Sequence, residues 1–269
     1  MRGISFFIYR KYMKNYLSLV LSLLFSMLHA GAQDMTYPSG VRKLMQAYPS
    51  RIKGYDGSSL IMYDGSKIRY DEGGQKSHSE LMNSSDLGDI FAYDYKQGEL
   101  KNIPKNHDPG RIRNEELLKK MYGSTSSGVQ QNLVTITWCP NLINQKLRIT
   151  SINGIDKQLQ KISDELDKHP EFKDYLLSAG TFNWRKVRGT DRLSSHSFGT
   201  AIDLNVKYSD YWQWDCRCTS EDIAVKYKNR IPQQIVDIFE KHGFIWGGKW
   251  YHYDTMHFEY RPELLIGIN

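Results

Sequence analysis

The stretch SSHSFGTAID, residues 194–203, decides the fold, because it leads from a turn into a short strand. In a strand that begins at Ala201, successive side chains point to opposite faces of the sheet. Asp203 belongs to the row that faces away from the core, and a turn at Gly199 brings His196 back toward this carboxylate. The row expected to face the core is Ile202, Leu204 and Val206, and the open row is Ala201, Asp203 and Asn205.

A second stretch, DTMHFE at residues 254–259, alternates in the same way. Asp254 precedes this strand, where a turn can re-aim its carboxylate. Two such strands side by side would bring His196, Asp203 and His257 to one point. The row expected to face the core is Met256, Phe258 and Tyr260, and the open row is Thr255, His257 and Glu259.

Two imidazoles and one carboxylate are the donor set of a catalytic zinc site, which keeps a fourth position open. The small residues Gly199 and Ala201 leave room for the ion. Zinc lowers the pKa of a bound water to roughly 7, and the carboxylate of Asp254 can carry the proton of that water. A cation is needed where the carbonyl oxygen becomes negative. The candidates upstream of His196 are Arg185, Arg188 and Arg192.

Other histidines and aromatic residues have simpler interpretations. A single histidine is more often a surface or capping residue than a metal ligand, and we place His242 and His252 in that class. Of the tryptophans, Trp246 is expected in the core, whereas Trp212 and Trp250 are expected to form walls of a substrate cleft.

The remaining patterns predict an α+β domain with a small, mainly antiparallel sheet and flanking helices, because strands and helices do not follow a βαβ rhythm. Helices are expected at 114–122, at about 155–168 and from Pro232 to Gly243. Strands are expected at 134–138, 147–152, 201–206 and 255–260, and a hairpin at 60–70 turns at Asp64-Gly65. We expect residues 33–149 to form a loop-rich accessory segment that packs against, or partly covers, the domain at 150–269.

Residues 1–32 have the pattern of a secretory signal peptide. A basic start precedes an apolar run of 13 residues, whereas a helix that spans a bilayer needs about 20. We therefore expect an exported protein of the periplasm, cell envelope or exterior, without a stable membrane anchor. These residues hold four Lys and Arg and no acid, so their removal lowers the net charge from +6 to +2. That charge gives no reason to expect nucleic-acid binding.

The three cysteines suggest one disulfide in an oxidising compartment. We expect Cys139 to pair with Cys216 or Cys218, which leaves one free thiol. A zinc site at the Cys216–Cys218 pair is the competing interpretation.

The motifs Ser-x-His-x-x-Gly-x-Ala-x-Asp and Asp-x-x-His-Phe-Glu resemble those of the zinc D-alanyl-D-alanine carboxypeptidase family. That family includes vancomycin-resistance dipeptidases and phage L-alanyl-D-glutamate endolysins, and it shares its architecture with the hedgehog signalling domain. The likeness extends to GTFNWR at 180–185 and GFIWGG at 243–248, and covers roughly residues 150–263.

The resemblance implies roles for individual residues. Asp254 matches the catalytic carboxylate, and Arg185 matches an arginine that binds the carbonyl or carboxylate of the substrate. Ser194 matches a serine that buttresses the site, and Glu259 would orient a ligand histidine. The residues that match the zinc ligands are His196, Asp203 and His257.

The resemblance also implies a zinc metallopeptidase that hydrolyses amides in peptidoglycan stem peptides. Two reactions remain open at this point: removal of a terminal D-Ala, and cleavage between L-Ala and D-Glu. The main alternative is a non-catalytic zinc module that binds cell-wall fragments or a protein partner, and a metal-free wall-binding protein is a third. The sequence does not decide the oligomeric state.

Overall fold

The computed structural model describes residues 36–100, 102–218 and 220–267. The predicted signal peptide, residues 1–32, lies outside the described residues. Within the described ranges, no helix combines the length and the apolar character needed to cross a membrane.

The described residues form an α+β fold with three small antiparallel sheets, as the sequence patterns predict. The strands are β1 Ile52–Tyr55, β2 Ser59–Met62, β3 Lys67–Arg69, β4 Leu133–Trp138, β5 Gln145–Thr150, β6 Ala201–Asp203, β7 Phe244–Trp246 and β8 His257–Tyr260. The α-helices are α1 Ser39–Ala47, α2 His78–Asn83, α3 Glu115–Tyr122, α4 Ser126–Gln130, α5 Ile155–Leu166, α6 Trp212–Cys216 and α7 Gln233–Lys241. Short 3-10 turns connect them, and the one that matters for the site is Ser195–Phe198.

The sheet that carries the candidate site has the strand order β6-β8-β7. Strands β6 and β8 are antiparallel neighbours, and Asp203 lies directly opposite His257. The predicted pairing of these two strands is therefore confirmed. The strand at 201 is shorter than predicted, because a 3-10 turn, Val206–Tyr208, follows closely. The prediction that Val206 faces the core is wrong, since this turn leaves its side chain 43% exposed.

The core beneath the site is built from apolar helix faces. In α5, Ile155, Leu159, Ile162 and Leu166 recur at helical spacing, and all four are fully buried. Helix α5 packs on β4 and β5, and also on α7, which in turn packs on β7. The rings of Phe239 in α7 and Phe258 in β8 stack with their centroids 4.0 Å apart. The sheet of the candidate site therefore has a rigid apolar base.

The predicted accessory segment contains its own small sheet, β1-β2-β3, with the expected hairpin at residues 59–69. It also contains α3, which begins where the side chain of Asn114 accepts a hydrogen bond from the amide of Leu117. Its apolar residues join the same core as those of the C-terminal half.

Buried polar contacts fasten the accessory segment to the C-terminal half. The hydroxyl of Tyr48 donates to Glu263 at 2.6 Å, and that of Tyr95 donates to Glu240 at 2.6 Å. The predicted boundary at residues 149/150 falls within β5, which runs to Thr150 and pairs with β4. A cut at this position would divide a strand.

The expected pairing of Cys139 is wrong. Cys216 and Cys218 form a disulfide with each other, at the end of α6. Cys139 follows β4 in the core, where its backbone amide donates to the side chain of Ser163, and burial raises the pKa of its thiol to about 12. The interpretation of Cys216 and Cys218 as zinc ligands is also wrong, because a disulfide sulfur is no longer a thiolate.

Candidate metal centre and active site

Three side chains converge at the β6–β8 pair. The distance from His196 Nε2 to Asp203 Oδ1 is 3.1 Å, and from His196 Nε2 to His257 Nδ1 it is 3.2 Å. Asp203 Oδ1 and His257 Nδ1 are 3.0 Å apart. One nitrogen or oxygen atom of each residue therefore faces a common point, as the sequence analysis expected.

His196 reaches this point because the chain reverses after the turn Ser195–Phe198. Gly199 ends the turn in the left-handed conformation, with φ 64°. A Cβ atom at this position would lie 2.6 Å from a methyl group of Leu133 and 3.3 Å from the amide nitrogen of Thr150. Glycine is thus required both by the backbone conformation and by the close approach of β4 and β5. At the start of the turn, the hydroxyl of Ser194 accepts a hydrogen bond from the amide of His196.

The second nitrogen of each imidazole is held by an oxygen atom. His196 Nδ1 lies 2.7 Å from the carbonyl oxygen of Thr181, which can only accept, so this nitrogen carries the proton and Nε2 is left to bind a metal. His257 Nε2 lies 3.0 Å from the carboxylate of Glu259, so its Nδ1 is the nitrogen left to bind a metal. Such oxygen partners fix the ring orientation of metal-binding histidines.

Glu259 is itself held by two arginines. Arg113 donates to both of its carboxylate oxygens, with a shortest contact of 2.5 Å, and Arg261 donates to it at 3.2 Å. Glu259 is 1% exposed, so both charges compensate for its burial. Sequence reasoning missed Arg113, because it lies 146 positions before Glu259 and belongs to no motif. The only available signal was the RIR run at 111–113, which has no fixed spacing to either motif.

The metal-ligand candidates shift one another's ionisation. Burial opposes the ionisation of Asp203, but the neighbouring His196 and His257 outweigh it and hold the pKa of this carboxyl well below its usual range. Burial also opposes the charging of His257, yet its hydrogen bonds with Asp203 and Glu259 raise its pKa to about 10. The same negative charges that favour a proton on His257 would favour a bound metal cation.

This donor set fits zinc. Two imidazole nitrogens and one carboxylate oxygen are ligands that zinc prefers. A tetrahedral zinc with bonds of about 2.0–2.2 Å holds its ligand atoms roughly 3.3–3.6 Å apart, slightly more than the separations found here. A small outward movement of the three atoms would therefore accommodate the ion.

Asp254 lies just before β8, in the same cavity as the three residues. Its backbone amide donates to the carbonyl of Gly247, which fixes the turn that the sequence analysis expected. Its Oδ1 atom is buried and has no hydrogen-bond partner among the described residues. Burial, and then the charge of Asp203, raise the pKa of Asp254 to about 6. A group with a pKa near neutrality can both accept and release a proton.

The cavity above the metal-ligand candidates has a volume of about 320 Å³. Arg185 lies at its border with an exposed side chain, whose guanidinium donates to the carbonyl oxygen of Lys186. Of the predicted residues, Ser194, Trp212 and Trp250 also line the cavity. Five arginines contribute to the lining: Arg111, Arg113, Arg185, Arg188 and Arg192. Arg111 and Arg113 are paired with acids, whereas the other three have no ion pair among the described residues.

The tryptophans differ in exposure. Trp212 and Trp250 border the cavity, but both are buried, at 2% and 4% exposure, and Trp250 donates to the carbonyl of Pro109. Trp246 is buried in the core, as expected. Trp214, which the sequence analysis did not single out, borders the cavity with 49% exposure. It therefore offers a larger free apolar surface than the two predicted cleft residues.

His252 also lies at the cavity, within a second group of histidines and acids that includes His78 and Glu221. Its Nδ1 faces Asp108 at 2.7 Å, and its Nε2 faces the carbonyl oxygen of Glu221 at 2.9 Å. Arg111 pairs with both Asp108 and Glu221. The guanidinium of Arg111 already supplies the positive charge between these acids, so we assign the group a structural role.

Residues 188–260 match the family model described as D-alanyl-D-alanine carboxypeptidase. The chain is similar to this family. The resemblance predicted from the two motifs is thus confirmed over the matched stretch, and at the level of the D-alanyl-D-alanine carboxypeptidase family it supports a peptidase that acts on peptidoglycan. Comparisons with curated proteins and with solved structures give no match.

The match to the D-alanyl-D-alanine carboxypeptidase family contains the three metal-ligand candidates, Asp254 and Glu259. Arg185 lies just before the matched stretch, and Arg113 lies far outside it. The contacts that hold Glu259 therefore come partly from a region that the family model does not include.

Proposed function

We propose that this chain is a zinc-dependent peptidase that hydrolyses amide bonds in the stem peptides of peptidoglycan. The observation that carries the proposal is the mutual separation of 3.0–3.2 Å among the ligand atoms of His196, Asp203 and His257. Asp254 Oδ1, in the same cavity, has no hydrogen-bond partner in the described part of the chain, which supports a catalytic rather than a purely structural site.

Each group in the cavity has a chemical task. A zinc ion, when bound, would polarise the scissile carbonyl and make water a nucleophile near neutral pH. Asp254 takes the proton of the attacking water and passes it to the leaving amine. Arg185 stabilises the negative charge that develops on the carbonyl oxygen, or holds a substrate carboxylate. Glu259 keeps the imidazole of His257 in the orientation that binding requires.

We further propose that the reaction takes place outside the cytoplasm, because the pattern of residues 1–32 is that of an export signal and the substrate is the cell wall. The rival proposal is a zinc module that binds wall fragments without cleaving them. Asp254 favours the peptidase, since a buried carboxylate oxygen without a partner is costly and has no use in a binding module.

Incubation of purified protein with defined muropeptides, followed by mass spectrometry, tests the proposal. Loss of one alanine would identify a carboxypeptidase, and release of a peptide that begins with D-Glu would identify an endopeptidase. Removal of the metal with a chelator should abolish either activity, and added zinc should restore it. A zinc-loaded protein that binds muropeptides and leaves all of them intact would instead support the binding module.

A further inference from the structure

A second cavity adjoins the cavity of the candidate site. Its volume is about 610 Å³, and Arg188, Arg192 and Gln213 line both cavities. The opposite wall belongs to the accessory segment, chiefly to α2. The two cavities therefore meet at two arginines and one amide. A bound substrate that extends from the metal centre past these residues would reach into the second cavity.

Several residues that line the second cavity carry a polar atom that is closed off from solvent and makes no hydrogen bond. Buried atoms of His78, Asn106, Arg192 and Gln213 have no hydrogen-bond partner among the described residues. The His78 atom, Nε2, nevertheless lies 3.6 Å from a carboxylate oxygen of Glu221. These four are half of all such atoms among the described residues, and a fifth, on Asp254, lies in the adjoining cavity. A buried polar group without a partner costs about 1–3 kcal/mol, so such a concentration needs a physical reason. These atoms are closed off from solvent, so a polar ligand in the cavity satisfies them only when their side chains turn toward it.

The charges at the junction indicate the type of ligand. Arg188 and Arg192 form no ion pair with any described acid, although both are near the metal centre. Arg192 donates from Nη1 to the carbonyl of Arg111, which leaves Nε free. The acids of this cavity have cationic partners, since Glu221 pairs with Arg111, which Asp108 shares, and Asp222 pairs with Lys105. The free charge at the junction is positive, and it suits a carboxylate.

We propose that the second cavity is a substrate subsite that binds a carboxylate-bearing portion of the stem peptide at Arg188 and Arg192. The peptide amides there pair with the side-chain amides of Gln213 and Asn106. This inference rests on the proposed peptidase function and extends it, because it gives the accessory segment a direct part in substrate selection. A substrate long enough to reach the subsite is bound more tightly and cleaved faster than a truncated one.

Binding measurements test the subsite independently of cleavage. The zinc-loaded Asp254→Asn variant is titrated by calorimetry with a stem peptide whose carboxylates are free, with one amidated at D-Glu, and with one amidated at its C-terminus. We expect one of the two amidations to weaken binding roughly ten- to hundredfold, the loss expected for a hydrogen-bonded charge. The amidation that does so identifies which carboxylate Arg188 and Arg192 hold.

Substitutions in the same background locate the effect. Arg192→Gln should remove the discrimination between the free and the amidated peptide, whereas Arg69→Gln, on exposed β3, should preserve it. Ser79→Trp, at an exposed position of the α2 wall, should block the cavity and weaken binding of the free peptide to the level of the amidated one. This variant tests the subsite if Arg192→Gln does not fold.

Two results would overturn the subsite: equal binding of all three peptides, or discrimination that survives both Arg192→Gln and Ser79→Trp. Discrimination in binding, together with no cleavage of any muropeptide by the wild-type protein, would contradict the proposed peptidase activity and still support the subsite.

Discussion

At the scale of single residues, Asp254 lies beside the metal-ligand candidates, and its buried Oδ1 has no partner among the residues that the structure describes. We expect Asp254→Asn to retain zinc and the folded state but to lose about 10²–10⁴-fold in kcat, because an amide cannot accept the proton of the attacking water. Steady-state hydrolysis of a muropeptide, with zinc content measured on the same sample, checks this expectation.

A matched control for Asp254→Asn is Asp237→Asn, an exposed position on α7 that makes the same chemical change away from the cavity. This control should keep wild-type activity. Near wild-type turnover in Asp254→Asn would show that another group carries the proton.

His257 makes zinc binding depend on pH. Without a metal its pKa is raised to about 10, so at neutral pH a proton occupies its Nδ1, and zinc must displace that proton. The apparent affinity for zinc should therefore rise as pH rises, about tenfold per pH unit between pH 6 and 8 for one displaced proton. Competition with a chelator of known affinity at several pH values measures this slope. A flat profile would mean that zinc displaces no proton from His257 in this pH range.

At the scale of elements, the turn that carries His196 depends on Gly199. Gly199→Ala and Gly154→Ala both place a Cβ on a left-handed residue, but only the former meets neighbouring atoms, those of Leu133 and Thr150. We expect Gly154→Ala to cost roughly 1–2 kcal/mol and Gly199→Ala roughly 1–3 kcal/mol more. Chemical denaturation of both variants measures the difference, and equal losses would show that the turn can shift without penalty.

Most elements near the site follow from local sequence patterns. The apolar spacing of α5 and the alternation in β6 and β8 predict the helix, the two strands and their shared face. The ends of β6 could not be predicted, because Val206 continues the alternation while the hydrogen bonds of a 3-10 turn already bend the chain. The Cys216–Cys218 disulfide was missed because cysteine spacing does not determine pairing.

At the scale of the whole molecule, Arg113 connects the accessory segment to the metal centre through Glu259. We expect Arg113→Lys to lower zinc affinity or activity about 10–100-fold, because a lysine cannot replace the forked contact that holds Glu259 against His257. Zinc titration and muropeptide hydrolysis measure the two effects.

The control for Arg113→Lys is Arg69→Lys, which makes the same replacement on exposed β3 and should change neither quantity. A wild-type zinc affinity and activity in Arg113→Lys would show that Arg261 alone is sufficient to hold Glu259.

The sequence could predict the residues that converge on the metal but not those that support them. Motif residues lie within short stretches, where spacing and strand geometry limit the possible arrangements. Arg113 and the second cavity arise from tertiary contacts between positions more than a hundred residues apart, for which local spacing carries no information.

The two imidazoles present different ring nitrogens, Nε2 of His196 and Nδ1 of His257. An asparagine amide reaches as far from its backbone as Nδ1 does, and a glutamine amide reaches as far as Nε2. His257→Asn should therefore retain more zinc than His257→Gln, and His196→Gln should retain more zinc than His196→Asn. A reversed order of residual zinc occupancy in the four single variants would mean that the rings bind the ion through their other nitrogens.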